Sequence, residues 1–450
     1  MSRFPVPKNN SRIGFHYFPD TDHFRTTNLN TWLPELKALG TSWLSLQAPH
    51  DRAIPENFIE GLLDSDIEPI LLLDLPIDNP VSLTDLEILF SIYARWGIHY
   101  IRLFDRPNNR LSWSTKSWAQ PDLVERFLDL YLPYALSALQ AGLIPIFPPL
   151  EPGGDYWDTA FLFESLKAIR RRGHHVLLNN QIVGAHANAG HRSITWGKGG
   201  IERLALTKPY MSPRGAEDHR GFHIFEWYLP ILESILQELT SIILFEAGAP
   251  IETDNSDNIS ILDPKDHTIR NLSLINALTS DQSNDAVQPI VENSIPELEP
   301  IPDQIICCNF WLLTASQNSP HARNAWYKPD GTTLPIVEAT SKYISIKHNK
   351  SLKGKTNSLS NGTEKSIAHY LLLPSYDWGV NEWHLELIKP FVKKHKPTIG
   401  FSLEEASKAT RVSVVGGIQA FSQEDLDFLR EAGCEIDRIS RDGTSIATIE

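Results

Sequence analysis

The chain is poor in the side chains that announce several common roles. Three cysteines in 450 residues, two adjacent (Cys307, Cys308) and one far away (Cys434), exclude a disulfide framework and give no thiolate spacing for a structural metal. All three are expected to be reduced and buried. Lys and Arg total 41 against 55 Asp and Glu, a net charge of −14, so no basic footprint exists for a nucleic-acid backbone. No run approaches the roughly eighteen apolar residues of a membrane span, and Met1 to Arg12 holds no apolar leader core, so neither membrane nor export is expected and the expected location is cytoplasmic. Gly14 stands alone after the first strand-like run, which removes the dinucleotide fingerprint. The Trp196 to Gly200 segment lacks the earlier glycine and the following Ser or Thr of a phosphate loop. No cofactor is expected.

What is present is an ordinary globular core, 41% apolar, with an unusual supply of aromatics: 12 Trp, 12 Tyr and 19 Phe. Short apolar runs alternate with amphipathic stretches through roughly residue 340, the pattern of βα units around a parallel sheet. Strands are expected at Ile13 to Phe18, Ser42 to Gln47, Pro69 to Asp74, Tyr100 to Phe104, Leu143 to Phe147, Ile182 to His186, Ile242 to Glu246 and Ile305 to Trp311. Between them, helices are expected over Thr31 to Leu39 capped by Asn28 or Asn30, over Asp85 to Trp96 capped by Ser82 or Thr84, over Pro121 to Ala141 with a kink at Pro133, and over Phe222 to Leu239. Eight such units fit an α/β fold, a (β/α)8 TIM barrel, for which about 250 residues plus insertions is usual. The lysine-bearing stretch 347–365 is expected to be a flexible linker, and 366–450 a small C-terminal α/β domain after a barrel over 1–346. Asp281 to Asp303 is expected to be a long acidic loop.

In such a barrel the chemistry sits on whatever follows each strand. That set holds His16 and Asp20, Gln47, Asp74, Asp105 and Arg106, Asn108, Glu151 and Asp155, His186, and Glu246, with Trp113, Tyr156, Trp157, Trp196, Trp227 and Trp311 among them. Aromatic faces stack on the C–H faces of sugars while carboxylates, amides and imidazoles bind hydroxyls, so an oligosaccharide or other glycan is the expected partner. His16, Gln47, Arg106, Asn108, Tyr156, Trp157, His186, Trp196 and Trp311 are the expected substrate contacts.

Several segments resemble, in order, the clan A glycoside hydrolases, a superfamily of retaining barrel enzymes. Leu39 to Gln47 is similar to the clan's second-strand segment, Ile182 to His186 to its sixth-strand histidine segment, and Ile243 to Ala249 to the seventh-strand segment that carries the nucleophile. Asn309 to Trp311 stands where the eighth-strand aromatic does, and Trp326 to Ala339 resembles the closing segment. The resemblance covers most of residues 13–340 and implies Glu246 as nucleophile. It also exposes a departure. The clan's fourth strand ends in Asn-Glu-Pro, whereas this chain has Asp105-Arg106-Pro107, and a guanidinium cannot shuttle a proton at physiological pH.

Glu151, beside a sharp Pro152-Gly153-Gly154 turn, is the expected replacement acid; its other reading is a partner for Arg106. Asp105 is an alternative acid but sits one residue out of phase, so it needs a bulge to face the mouth. Glu246 has its own second reading, a carboxylate salt-bridged across the mouth. Three functions remain open: a glycoside hydrolase-like enzyme, an inactive glycan-binding pseudo-enzyme in which Arg106 binds ligand, and a metal-dependent hydrolase using His16, Asp20, Asp22 and His23 or His186 with His191. No metal is expected.

Overall fold

A computed structural model of the chain describes residues 3–203, 212–213, 216–236, 241–255, 258–280, 298–358, 365, 367–374, 389, 391–416 and 420–439. The chain divides into two compact units, Met1–Ser345 and Ile346–Glu450.

In the first unit the strands are β1 (Ile13–His16), β2 (Trp43–Gln47), β3 (Glu68–Leu72), β4 (Tyr100–Arg102), β5 (Ile144–Phe147), β6 (Ile182–Asn188) and β7 (Ile242–Gly248), then an antiparallel hairpin of β8 (Glu252–Asn255) and β9 (Asn258–Ile261), then β10 (Ile305–Phe310). Strands β1 to β7 and β10 close into an all-parallel barrel in the order β1-β10-β7-β6-β5-β4-β3-β2. This is the eight-stranded barrel the alternation predicts.

Two apolar layers hold it. Inside the barrel, Trp43, Ile70, Leu72, Tyr100, Ile146, Ile182, Ile243, Phe245 and Cys307 pack with Phe4 from the N-terminal segment. Outside, Phe15, Leu44, Leu71, Ile101 and Leu244, one residue out of phase, pack against the helices, as the period of two along a strand requires. Gly14 has no room for a side chain: a Cβ there would lie 2.4 Å from Asn309 Oδ1 and 2.9 Å from Trp43 Cβ. Its role is close packing inside the barrel.

The helices largely follow their expected periodicity, with corrections at the ends. The first runs Thr26–Ala38 with Arg25 at its N-cap, and Asn28 reaches back from the first turn to accept the Arg25 N–H at 3.0 Å. Ser82 does precede Leu83–Arg95. Leu123–Ala141 continues as one helix through Pro133, flanked by buried Tyr131, Leu132 and Tyr134. The helix expected from Phe222 is a 3-10 turn to Ile224 and then Phe225–Ile235.

The helix Pro335–Ser358 continues past the end of the first unit at Ser345, so residues 347–358 of the expected flexible linker are helical. Lysine is a good helix former, and no proline interrupts that stretch. In the second unit β11 (Ile367–Leu372), β12 (Thr398–Gly400), β13 (Ala409–Val415) and β14 (Glu435–Ile439) form a parallel sheet in the order β12-β11-β13-β14. Its helix Gln423–Glu431 begins with a reciprocal cap between Ser422 and Asp425. Of the stretch 382–396 only 389 and 391–396 are described, with 391–395 helical, and most of the acidic loop at 281–303 lies outside the described residues.

Candidate functional site

The same inward-facing rows that are apolar at the bottom of the barrel turn polar at the C-terminal ends of the strands. Trp43 is followed two residues on by Ser45 and then Gln47, Tyr100 by Arg102, and Ile182 by Gly184 and His186. At two strand ends the alternation then breaks. His186 and Asn188 of β6 pair with Phe245 and Gly248 of β7, and Cys308 and Phe310 of β10 pair with Leu244 and Ala247. On both sides, β7 therefore carries one extra residue. Glu246 sits in that bulge with φ of 45°, which lets its carboxylate join the interior beside Phe245. On the fourth strand, Leu103 and Phe104 both belong to the outer layer, with Phe104 edge-on to Phe127 and Tyr134 of the neighbouring helix. Arg106 then has φ of 45°, and the chain turns back with both Asp105 and Arg106 toward the mouth. The phase argument against Asp105 assumed a regular strand to Phe104; β4 ends at Arg102.

Arg106 is the hub of the mouth. Its Nε donates to Glu151 Oε2 at 2.7 Å, its Nη2 to Glu246 Oε2 at 2.6 Å, and its Nη1 to Asp105 Oδ2. Arg102, 3% exposed, donates from Nε and Nη2 to Asp74 Oδ1 at 3.1 and 2.6 Å, has Nη1 3.4 Å from Asp105, and stacks over the Phe245 ring. Gln47 Nε2 donates to the other Asp74 oxygen at 2.9 Å. The result is a band of alternating charge across β2, β3, β4, β5 and β7. Its cause is the guanidinium fork, which offers five donors to several carboxylates at once.

These contacts fix the ionisation of the carboxyls. Burial pushes the Glu246 carboxyl up, but Arg106 and His186 outweigh it and bring its pKa down to about 2. Burial likewise pushes Asp105 up, and Arg102 and Arg106 together hold it well below the usual carboxylate range. His16 is the opposite case: burial lowers its pKa to about 3 against the raising influence of Glu246, so the ring is neutral. The Glu246 N–H donates to His16 Nε2 at 3.0 Å, which assigns the remaining ring proton to Nδ1.

A cavity of about 290 Å³ opens beside the hub, lined by His16, Phe18, Pro19, Ser45, Gln47, Leu72, Asp74, Arg102, Asp105, Glu246, Trp311 and His321. Two buried polar atoms on its lining residues, Ser45 Oγ and Arg102 Nη1, have no hydrogen-bond partner among the described residues, Arg102 Nη1 keeping its ion-pair distance of 3.4 Å to Asp105. Trp311 forms part of the wall, its ring edge-on to both His16 and His321 with centroids 5.1 Å away.

The structure brings His16, Gln47, Asp105, Arg106, Glu151, His186, Glu246 and Trp311 to one place, with Arg106, Glu151 and His186 just outside the cavity lining. It does not bring the other expected contacts there. Asn108 is fully buried: its Nδ2 donates to the Glu151 and Tyr156 carbonyls, both at 2.9 Å, and its Oδ1 accepts from Glu151 N at 2.8 Å. It shapes the loop after β5 and is not among the residues that line this cavity. Tyr156 packs on the outer core, with its ring edge-on to Phe161. Trp157 precedes the helix Asp158–Arg171 and its ring centroid lies 5.2 Å from that of His219. Trp196 donates to Asp218 Oδ1 at 3.0 Å. Trp113 and Trp227 are buried with their N–H groups on the Pro107 and Gly197 carbonyls. Trp113, Trp196 and Trp227 pin loops, because a buried indole needs both apolar surroundings and one acceptor.

Arg102 and His321 are site residues that sequence reasoning missed. Arg102 carried a signal, a lone charge inside the apolar run Tyr100 to Phe104 on the inward phase of Tyr100. His321 sits in an irregular segment and carried none.

For a metal, Asp105, His186 and Glu246 each offer a ligand atom within 4.8 Å of the others, the single such group among the described residues. The Arg106 guanidinium already bridges both carboxylates of that group. The ligand sets expected from sequence do not assemble: Asp20 pairs with His23 at 2.6 Å and with Ser316, and His191 lies on Thr253 and Ser260.

No protein-family model and no curated protein matches the sequence. Among solved structures, an endo-β-1,4-glucanase from Xanthomonas axonopodis pv. citri matches at 12% identity and a TM-score of 0.40, over 74% of this chain and 98% of that one. A β-galactosidase from Marinomonas ef1 matches at 9% identity and a TM-score of 0.36, over 95% and 75%. The chain is distantly similar in structure to glycoside hydrolase barrels. A fructose-bisphosphate aldolase from Plasmodium falciparum also matches, at 12% identity and a TM-score of 0.31 over 60% and 76%, so the likeness concerns the barrel and carries no chemistry. Among the described residues no helix is long and apolar enough to cross a membrane.

Proposed function

We propose that the mouth of this barrel binds a glycan without hydrolysing it. The observation that carries this reading is the Arg106 hub, where the three carboxyl groups available for glycoside cleavage are all ion-paired to one guanidinium. Hydrolysis needs one carboxyl that holds a proton and one that does not. Glu246 at about 2 and Asp105, also pushed down, hold none at neutral pH. Binding is supported by what remains available: a cavity close to the lower end of the roughly 300–1,000 Å³ common for ligand pockets, an indole wall, and the buried Ser45 hydroxyl, without a hydrogen-bond partner among the described residues, beside the Arg102 guanidinium and the carboxylate acceptors. A sugar hydroxyl both donates and accepts, and this mixture answers both needs.

A hydrolytic reading rests on one specific observation. Asp105 and Glu246 present oxygens within 4.8 Å of each other, near the roughly 5–5.5 Å separation of retaining glycosidases. It requires Arg106 to leave and a carboxyl to regain its proton. Turnover of a panel of aryl glycosides separates the two: none is expected from wild type, and activity that disappears in Glu246→Gln would overturn the binding reading. Calorimetry against oligosaccharides is expected to show binding that weakens about tenfold or more in Trp311→Ala, the loss of one stacked ring.

A further inference from the structure

The charges at the mouth do not balance. Asp74, Asp105, Glu151 and Glu246 are held by only two guanidinium groups, Arg102 and Arg106. His16 adds nothing, because it is neutral and its Nε2 is already an acceptor. Two negative charges are left over, and one is left even if His186, between Asp105 and Glu246, takes up a proton.

The excess lies at the cavity. Of the four carboxylates, Asp74, Asp105 and Glu246 line it, against Arg102 alone among the lining cations if His16 and His321 are uncharged. Low-dielectric walls focus such a potential into the opening. Two independent observations point to a ligand at the same spot. Ser45 Oγ, on a residue 1% exposed on the inward phase of β2, lacks any partner and has lone pairs to offer. The Trp311 ring on the wall is the kind of surface that packs against the C–H face of a pyranose ring.

Building on the glycan-binding reading, we propose that the bound sugar carries a protonated amino group, as a hexosamine unit does, with its ammonium among Asp74, Asp105 and Ser45. The pyranose ring lies against Trp311, and Arg102 Nη1 donates to a ring hydroxyl. A neutral sugar would leave the negative excess in place, and a uronic acid would add to it.

The test is calorimetry of the full chain with β-1,4-linked tetrasaccharides of glucosamine, N-acetylglucosamine and glucose, and with spermidine, at low and high salt. The amino form is expected to bind at least about tenfold more tightly than either neutral form at low salt, an advantage that shrinks as salt rises. Asp74→Asn is expected to narrow that ratio. The salt series on wild type keeps the proposal testable if that variant fails to fold. Neutral tetrasaccharides binding as tightly as the amine, or a ratio indifferent to salt, would overturn the amine assignment and leave the glycan reading standing. Spermidine binding with no saccharide binding at all would overturn both.

Discussion

At the scale of single residues, Arg106 decides more than any other side chain. A guanidinium that holds three carboxylates leaves them mutually repelling when it is removed, and breaking a buried ion pair from one side commonly costs about 3–5 kcal/mol. Arg106→Met is expected to lower stability by about 3 kcal/mol or more, read as a fall in the urea midpoint at unchanged slope. The Glu246 carboxyl should also rise from about 2 toward its ordinary range, because its largest opposing charge has gone, and carboxyl NMR titration reads that change. An unchanged titration would mean that Arg106 is not what holds Glu246 ionised. Arg106 also explains why the replacement acid chosen from sequence does not stand free. Glu151 does reach the mouth, but as the partner of the residue it was expected to compensate for.

At the scale of elements, the loop after β5 shows how a single amide positions a functional side chain. Asn108 occupies both carbonyls and the N–H that define the turn from Glu151 to Tyr156. Gly154 is small because a Cβ there would lie 2.6 Å from Asn108 Nδ2. Asn108→Ala takes the amide partner from the Tyr156 carbonyl and the Glu151 N–H, whereas the Glu151 carbonyl keeps the Gly154 N–H at 2.9 Å; at about 1–3 kcal/mol for each group stranded, a loss of at least about 2 kcal/mol is expected by thermal denaturation, with weaker glycan binding. The same elements show what sequence could reveal. Strand positions were legible because inward and outward rows are both apolar at the bottom of the barrel, giving continuous runs such as Ile70 to Leu73. Side-chain direction beyond the strands was not, because it depends on bulges at Glu246 and a turn at Arg106 that composition does not encode. The aromatics were placed at the mouth by their position after strands, yet Trp196 and Trp227 spend their N–H groups on their own loops. The hairpin β8 and β9 escaped notice because Glu252 to Asn258 is polar and alternates with nothing apolar.

At the scale of the whole molecule, acid is the expected weakness. His16 and His267 are buried with pKa values lowered by that burial to about 3 and about 4, and His267 has no partner at either nitrogen. An unfolded chain binds those protons near 6.5, so between that pH and the folded values the unfolded state holds more protons and stability falls as pH falls. Glu246, lowered to about 2, acts in the same direction further down, between about 4.5 and 2. The melting temperature is therefore expected to drop steadily below about pH 6.5, and His267→Leu to flatten the part between pH 6.5 and 4, a contribution of about 3 kcal/mol at the acid end. A melting temperature level from pH 7 to 4 would contradict both imidazole assignments. The three non-glycine residues with positive φ at the barrel mouth, Asp74, Arg106 and Glu246, are also charged members of the hub. A positive φ disfavours any side chain with a Cβ, by about 1–2 kcal/mol per residue. Glycine at any of these positions would relieve that strain but remove a charge from the hub, so each bend in the backbone is kept in place by the ion pair its side chain makes.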